Sequence, residues 1–334
     1  MAHTPTPRPS AEPAPAADVP DPPRTLELPW RTVNAEPARL GEAPHWDPQT
    51  GCLWWVDIAL HRVHRLDDQG REQSWRVPDS VSAAMPLRGS PLMLLALGAG
   101  LAWLDPETGD VEPWLPLAGT AAGLRTNDTR CDAAGHAWVS LMQNNLGPEG
   151  EELPLTDDIG ALFRVTPQGR AEALLTGLGI PNTLAWSADG RTLFHADSRA
   201  GVLHAHALDA EGRLADAPRR LLWAGGVPDG SALDHEGQLW NARWGDGELL
   251  RLNVSTSPAR ATLRLPLPAR QPTSCCFGGA RGDRLYVTSA RIGLAHPGEH
   301  DGAVFEVDLA GSGITGPHLH PFGGAPKAVA KDTP

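Results

Sequence analysis

Residues 40 to 66 read LGEAPHWDPQTGCLWWVDIALHRVHRL, a stretch with two short runs of strand-forming residues separated by turns. The turn residues Asp47, Pro48 and Gly51 precede the apolar run at 53–56, and an alternating run follows at 62–66. Aromatic and aliphatic runs bounded by Asp, Pro and Gly are typical of strands, and two in succession indicate a hairpin. The stretch therefore predicts a β-hairpin with one strand buried in a core.

The same pair of runs recurs along the chain, so this stretch is one copy of an internal repeat. The first runs lie at 53–56, 92–95, 137–140, 192–195, 238–241 and 284–287. The second runs lie at 62–66, 100–104, 161–165, 202–206, 248–252 and 303–307. Equivalent positions in the first runs are 40, 44, 56, 46 and 46 residues apart, which is the length of a four-stranded propeller blade. The longest interval contains the polar segment 143–158, interpreted as a loop inserted in the third blade.

The repeats predict an all-β fold, a six-bladed β-propeller that occupies residues 27–334 as a single domain. The 36 Gly and 33 Pro of the chain fit many short strands joined by turns. Residues 1–26 contain eight prolines and no apolar region of the kind found in signal peptides. This segment is predicted to be a disordered, Pro- and Ala-rich extension.

Charge and cysteine content limit the classes of partner. A net charge of −12 argues against nucleic acid or an anionic membrane, because both bind clustered Lys and Arg. None of the four cysteines shows a zinc-binding spacing, and a disulfide between the adjacent Cys275 and Cys276 would be strained. We therefore expect reduced thiols in a cytoplasmic protein, monomeric or weakly homo-oligomeric, whose partner is a small molecule or a cation.

Polar residues stand at matching places ahead of several predicted strands. They are Glu42, Asn127, Asp128, Asn182 and Asp229. Each alone is explained as a turn-former or cap, since Asn and Asp are common in turns. In a propeller, however, the segments that enter the blades run near the central axis, so side chains from different blades converge there. The shared placement favours a binding site built from oxygen ligands. Glu42 is predicted to lie on a loop just before its strand.

At this point the sequence resembles a known family, that of senescence marker protein 30, gluconolactonase and the luciferin-regenerating enzyme, also called the regucalcin-like family. The resemblance rests on motifs in order along the chain: GEAP at 41–44, RTND at 125–128, DAAG at 132–135, IPN at 180–182, PDG at 228–230, TSCCFGG at 273–279 and LYVTSA at 285–290. A single PDG or PN carries little information, whereas the full series makes accidental similarity improbable. The resemblance implies a six-bladed propeller, in agreement with the repeat count.

The resemblance also implies a metal site and a substrate site. One divalent metal would be bound by Glu42, Asn182 and Asp229, with Ca²⁺ the first choice and Mg²⁺, Mn²⁺, Zn²⁺ or Fe²⁺ as other candidates. Sugar-contacting residues of the family correspond to Arg125 and Asn127. Where some sugar-lactone members carry a Glu after the third-blade strand, this chain has Asn144-Asn145, and Asn145 is the candidate substrate residue. An amide there still binds a hydroxyl group but brings no charge.

The activity implied by the resemblance is hydrolysis of aldono-1,4- or 1,5-lactones by a metal-dependent enzyme. Asp229 is the candidate general base for the attacking water, although the metal could instead activate that water. Three alternatives stay open. The chain could act on non-sugar lactones or other esters, it could be a non-catalytic Ca²⁺-binding regulator, or it could be an interaction scaffold, which would not require acids and amides in the channel.

Overall fold

The computed structural model describes residues 22–117, 123–216 and 219–324. These residues form 25 strands, and no helix among them is long and apolar enough to cross a bilayer. The first half contains β1 Arg24–Thr25, β2 Trp30–Thr32, β3 Gly41–Asp47, β4 Cys52–Asp57, β5 Arg62–Leu66, β6 Glu72–Arg76, β7 Val81–Pro86, β8 Met93–Leu97, β9 Gly100–Leu104, β10 Val111–Pro116, β11 Leu124–Cys131 and β12 Ala137–Gln143. The second half contains β13 Gly160–Val165, β14 Ala171–Leu178, β15 Pro181–Trp186, β16 Thr192–Asp197, β17 Val202–Ala207, β18 Arg220–Ala224, β19 Pro228–Leu233, β20 Leu239–Arg243, β21 Glu248–Asn253, β22 Arg260–Pro266, β23 Pro272–Gly278, β24 Arg284–Ser289 and β25 Phe305–Asp308.

The strands form six sheets, each containing four antiparallel strands, which confirms the predicted six-bladed propeller. Five blades are built from consecutive strands, namely β3 to β6, β7 to β10, β11 to β14, β15 to β18 and β19 to β22. The sixth blade joins β23, β24 and β25 to β2 from near the start of the chain, which closes the ring. The predicted hairpin runs are the second and third strands of each blade. The first strands carry small and polar residues although they are buried, so their hydrophobic pattern is weak.

The N-terminal boundary is earlier than predicted. Residues 1–21 of the predicted extension lie outside the described residues. Arg24 and Thr25, also assigned to that extension, pair in parallel with Leu263 and Arg264 at the edge of the fifth blade. Leu26 is buried, and its N–H donates to the Arg264 carbonyl at 2.8 Å. A strand of two residues next to a proline-rich segment has no sequence pattern of its own, which is why the boundary was placed too late.

The side chain of Arg130 crosses the central channel from one blade to the opposite blade. Arg130, from the first strand of the third blade, donates to Ser274 Oγ at 3.1 Å and to the Cys275 carbonyl at 3.0 Å. These two residues belong to the first strand of the sixth blade, which lies opposite the third in a ring of six. The guanidinium therefore spans the channel between opposite blades.

The segment that follows the last strand runs across the opposite face of the ring. His235 N donates to the Thr315 carbonyl at 2.9 Å, and Phe322 N donates to the Pro86 carbonyl at 2.9 Å. Phe322 is fully buried against Trp103 and Trp114 of the second blade. This segment ties the fifth and second blades together at the end of the channel that is distant from the candidate site.

Tryptophans at equivalent blade positions pack in the core. Trp138 and Trp240 are fully buried, and each donates its indole N–H to an aspartate six residues earlier, Asp132 at 2.9 Å and Asp234 at 3.0 Å. Each aspartate also accepts backbone N–H groups of the turn that follows the first strand. The pair therefore joins turn and core in both blades, and it satisfies the one polar atom of each buried indole. The four cysteines are buried free thiols.

Buried histidines in the fourth blade give a prediction for acid stability. His195 is 2% exposed, its ring nitrogens make no hydrogen bond with the described residues, and burial lowers its pKa to about 3. His206, His204 and Arg219 also lower this pKa, whereas Asp197 raises it. An unfolded imidazole binds a proton below about pH 6.5, so unfolding is favoured as the pH falls from there towards 3.

Protonation of His195 on unfolding should cost the wild-type protein about 2 kcal/mol of unfolding free energy between pH 6.5 and pH 5, since each pH unit contributes about 1.36 kcal/mol. We expect His195→Phe to abolish this part of the loss. Phe retains the ring volume, and the imidazole it replaces has no hydrogen bond with the described residues. The measurement is the free energy of unfolding in urea at both pH values, with His296→Phe at an exposed position as the control. An unchanged pH dependence in the His195 variant would contradict the argument.

Candidate active site

A cavity of about 140 Å³ lies at the end of the channel where the first strands of the blades begin. Its polar lining consists of Glu42, Arg125, Asn127, Asn145, Glu152, Asn182, Ser198 and Asp229. Its apolar lining consists of Leu40, Ile58, Met142, Leu155, Ile180, Val227, Trp244 and Ile292. The cavity thus combines converging polar groups with an apolar wall, the usual composition of a small-molecule site.

The polar groups converge because the blades repeat the same register. The second residue of the first strand is polar in every blade, and these residues are Glu42, Ser82, Arg125, Asn182, Asp229 and Thr273. The residue before each of Glu42, Asn182 and Asp229 pairs with the last residue of the second strand: Gly41 with Asp57, Pro181 with Asp197, and Pro228 with Arg243. Four of these six residues, namely Glu42, Arg125, Asn182 and Asp229, line the cavity.

Glu42 lies within strand β3, so its predicted position on a loop was wrong. The strand pairing is irregular directly after it, between Glu42 and His45, and Asn182 is followed by the same irregularity. The next residues, Ala43 and Thr183, have positive φ angles of 48° and 52°, which non-glycine residues rarely adopt. A bulge of this kind turns the preceding side chain out of the regular alternation and towards the axis.

Hydrogen bonds hold the fourth and fifth blades together under the site. Asn182 Nδ2 donates to Ser198 Oγ at 2.8 Å, and Ser198 Oγ donates to the Pro228 carbonyl at 2.5 Å. The Thr183 hydroxyl donates to the Asp229 carbonyl. Gly230 must be glycine here, because a Cβ would lie 2.1 Å from Ser274 Oγ. The separation of Asn182 and Asp229 is therefore set by the backbone and by neighbouring side chains.

Aspartates on the second strands position the segments that enter the site. Asp57 accepts the N–H groups of Arg39 at 2.7 Å and Leu40 at 3.2 Å, just before Glu42. Asp197 accepts those of Gly179 and Ile180, just before Asn182, at 2.8 and 3.0 Å. Asp197 thus positions the strand that carries Asn182.

Glu42 and Asp229 place two carboxyl groups in a buried cavity. Burial raises the pKa of Glu42 to about 8, and the neighbouring charge of Asp128 makes the second-largest contribution to this increase. Burial and the nearby Glu42 raise the pKa of Asp229 well above its usual value. Asp229 is 5% exposed, and its Oδ1 has no hydrogen-bond partner in the described part of the chain. Two desolvated carboxyl groups that repel each other are costly unless a cation or a proton lies between them.

Arg125 is the guanidinium that lines the cavity. Its Nε and Nη2 donate to Asn145 Oδ1 at 3.0 and 2.8 Å, and its Nη1 donates to Asn127 Oδ1 at 2.8 Å. Burial lowers the pKa of Arg125 to about 10, an effect that Glu42 and Asp229 oppose, so the side chain is charged at neutral pH. Asn127 also donates from Nδ2 to Asn182 Oδ1 at 2.9 Å. A continuous polar network therefore runs from Asn145 to Asn182.

The structure brings all six predicted site residues to this one cavity: Glu42, Arg125, Asn127, Asn145, Asn182 and Asp229. Asp128 does not line it but lies buried beneath, where it accepts the Leu184 N–H at 3.1 Å and faces Arg130 at 3.8 Å. Sequence reasoning missed Ser198, Glu152 and Trp244. Ser198 could have been identified from its place after Asp197 in a blade turn, whereas Glu152 and Trp244 reach the cavity only through loop conformation.

Comparisons with known proteins identify the family of this chain. The model of the SMP-30/Gluconolactonase/LRE-like region matches residues 40–291. A 6-deoxy-6-sulfogluconolactonase from Pseudomonas putida is 32% identical over 268 residues, covering 78% of this chain and 87% of that protein. Regucalcin from Gallus gallus is 31% identical over 300 residues, covering 87% of this chain and 97% of that one.

A solved structure shares the whole architecture. The crystal structure of a calcium-binding protein, regucalcin, from Agrobacterium tumefaciens superposes with a TM-score of 0.79 at 27% identity, covering 90% of this chain and 99% of that one. The family match covers most of the 334 residues and includes five of the six blades in full. With the six-bladed fold and the matching motifs, it shows that the chain belongs to the SMP-30/gluconolactonase/LRE-like family.

Proposed function

We propose that this protein is a metal-dependent lactone hydrolase that acts on sugar lactones. Glu42, Asn182 and Asp229 would hold one divalent metal ion, and Arg125, Asn127 and Asn145 would bind the sugar. The observation that carries the proposal is the buried Oδ1 of Asp229, which has no hydrogen-bond partner among the described residues and lies in a cavity with the carboxyl group of Glu42. A cytoplasmic location and a monomeric or weakly oligomeric state stay predictions from the sequence.

The residues present fit a divalent cation. Two carboxylates and an amide oxygen are hard donors, which suits Ca²⁺ first and Mg²⁺ or Mn²⁺ next, with Zn²⁺ and Fe²⁺ as weaker candidates. A dication would relieve the repulsion that raises the pKa values of Glu42 and Asp229. It would also provide a partner for Asp229 Oδ1. A relative of known structure is described as a calcium-binding protein, which supports the same choice of ion.

Sugar lactones suit the polar wall of the cavity. Asn127 and Asn145 present amide groups beside the Arg125 guanidinium, and amides and guanidinium groups bind hydroxyl groups well. The relatives named 6-deoxy-6-sulfogluconolactonase and L-arabinolactonase point to lactones of the aldonic type. We infer that Arg125 and Asn127 orient the ring so that its carbonyl faces Asp229.

Hydrolysis needs a water, a base and a place for the negative charge of the tetrahedral intermediate. The Asp229 carboxylate would accept a proton from the water as the water oxygen bonds to the lactone carbonyl carbon. When bound, the dication supplies positive charge that polarises the carbonyl and stabilises the developing oxyanion. The bond from that carbon to the ring oxygen then breaks. Asp229 returns the proton to the ring oxygen, and the product is the open hydroxy acid.

The apolar wall favours a second candidate substrate class. Eight of the sixteen lining side chains are apolar, among them Met142, Leu155 and Trp244. A cavity of this composition could also accept an aliphatic lactone or another ester. A third candidate, a non-catalytic Ca²⁺-binding protein, needs the same three metal ligands but no bound substrate.

The test is hydrolysis of a panel of lactones by the purified protein in the presence of Ca²⁺. The panel contains the glucono-, galactono-, xylono- and arabinono-lactones and one aliphatic lactone. Turnover of one or more sugar lactones supports the proposal. Turnover of the aliphatic lactone alone supports the second candidate, and Ca²⁺ binding without turnover of any lactone supports the third.

We expect Arg125→Ala to raise KM for a sugar lactone at least tenfold, with a smaller effect on kcat. Arg125 anchors Asn127 and Asn145, so its loss releases the groups that would hold the sugar, whereas Asp229 is unchanged. Steady-state kinetics of Arg125→Ala and Arg125→Lys measure this effect, with the exposed Arg71→Ala as the control. A loss confined to kcat would place Arg125 in the chemical step instead.

A further inference from the structure

We propose that Glu152 is a specificity-determining residue that favours uncharged lactones over lactones with an anionic substituent. This inference rests on the proposed function and names the substrate class of the same site. Glu152 is carried by the loop between β12 and β13, the longest connection within the third blade. Three carboxylates line the cavity. Glu42 and Asp229 lie on the first strands of their blades, whereas Glu152 lies on this loop.

The loop folds back on itself and places Glu152 beside the polar network. Leu146 and Glu152 form an antiparallel bridge, and Leu153 N donates to the Asn145 carbonyl at 2.8 Å. Gly147 N donates to the Glu151 carbonyl at 2.9 Å. The short hairpin thus begins at Asn145, the partner of Arg125, and returns to it. Glu152 therefore has a defined position at the cavity, set by backbone hydrogen bonds.

The Glu152 carboxylate is free to act on a ligand. It makes no hydrogen bond or ion pair with any other residue that the structure describes, and its side chain is exposed at the cavity mouth. Its Oε2 lies over Gly293, where a Cβ would approach it to 2.7 Å. Gly293, whose φ is 72°, leaves the space that this carboxylate fills. Unlike Glu42 and Asp229, Glu152 comes from a loop at the rim and is not needed to hold a metal.

The charges that face the cavity explain the expected preference. Three carboxylates, Glu42, Asp229 and Glu152, face it together with one guanidinium, Arg125. With a dication bound, these charges sum to zero, so a neutral lactone leaves the site balanced. An anionic substituent would add an uncompensated negative charge close to Glu152 in a partly dehydrated site. Removing the Glu152 charge would leave one positive charge, which favours an anionic ligand.

The experiment compares gluconolactone with 6-deoxy-6-sulfogluconolactone, which differs only at carbon 6. The quantity measured is the ratio of kcat/KM for the sulfonated lactone to that for gluconolactone. We expect Glu152→Gln to raise this ratio on the order of tenfold and Glu152→Lys to raise it further, mainly through KM for the sulfonated lactone. Added salt should reduce both effects.

Glu151→Gln is the matched control. Its carboxylate accepts the Glu149 N–H at 2.9 Å within the hairpin and does not line the cavity, so the ratio should change less than twofold. A ratio that stays within twofold of wild type in both Glu152 variants would overturn the inference. So would an equal loss of kcat/KM for both lactones, since that result indicates a general structural role for the loop.

A failure of the proposed function gives a different result, namely no turnover of either lactone by the wild-type protein. In that case, thermal shifts with glucitol and glucitol 6-phosphate measure the same preference by binding. Glu152→Gln should then increase the relative shift with the phosphate compound. Equal relative shifts in the variant and the wild type would overturn the inference without reference to catalysis.

Discussion

Asp229→Asn is expected to reduce kcat/KM for sugar lactones by at least about 10³-fold, because one change removes both a general base and a metal ligand. Asparagine retains the shape of the side chain, and its Oδ1 could still coordinate weakly, but it cannot take a proton from water. The carbonyl of Asp229 accepts from Thr183 and Asn241, and those bonds remain. The loss of activity would therefore result from the changed side chain and not from a change in the fold of the strand.

The same substitution should make the metal-free protein more stable. Asp229 is a buried carboxyl group near Glu42, and its Oδ1 has no hydrogen-bond partner in the part of the chain that the structure describes. A neutral amide removes the repulsion between the two carboxyl groups. We expect the melting temperature in the presence of chelator to rise by roughly 1–3 °C. Asp68→Asn, at an exposed turn of the first blade, is the control and should change neither activity nor stability appreciably. Full activity of Asp229→Asn would exclude the mechanism proposed for this residue.

Removal of the metal is expected to have the second-largest effect, a loss of activity of about 10²- to 10³-fold after treatment with chelator. The reason is that the Asp229 and Glu42 carboxyl groups repel each other without a cation and protonate, so Asp229 cannot serve as a base. A bound ion also stabilises the folded state. At a concentration of 100 times Kd the gain is about 2.7 kcal/mol, which for a chain of this size raises the melting temperature by about 4 °C.

The measurement restores Ca²⁺, Mg²⁺, Mn²⁺, Zn²⁺ or Fe²⁺ separately to the stripped protein and records both turnover and melting temperature. We expect Ca²⁺ to act at the lowest concentration, because the three donors are oxygens and leave room for further oxygen ligands. Glu42→Gln should weaken the thermal shift for every ion, since it removes one of the two charges that attract them. Full activity after stripping, with no ion restored, would show that the carboxyl groups act without a metal.

The repeat was readable from the sequence because its cause is local. Buried second strands such as Leu53 to Val56 need apolar residues, and tight turns need Asp, Pro and Gly, so each blade leaves the same pattern at a regular interval. Six such repeats were enough to predict the architecture. The motifs that hold Glu42, Asn182 and Asp229 were readable for a similar reason, since each lies at the same position in its blade.

The first strands were less visible in the sequence. Strands such as β7 and β19 are buried, but they face the channel and the neighbouring blades and are built from small and polar residues. Their pattern matches neither an alternating nor a continuous apolar strand. The short β1 at Arg24–Thr25 depends wholly on pairing with β22, a partner more than two hundred residues away, and so had no local signal.

The sequence by itself thus determined the number of blades, the two hairpin strands of each blade and the types of residue that the site would contain. Only the tertiary structure decided how these residues act together, because the relevant interactions join distant parts of the chain. The bulges at Ala43 and Thr183 re-aim the side chains of Glu42 and Asn182, and Arg130 crosses the channel to reach the opposite blade. The charge of Glu152 enters the cavity only because its loop folds back on Asn145. Burial and the mutual repulsion of charges, which set the pKa values of Glu42 and Asp229, arise from this assembly and from no local feature of the sequence.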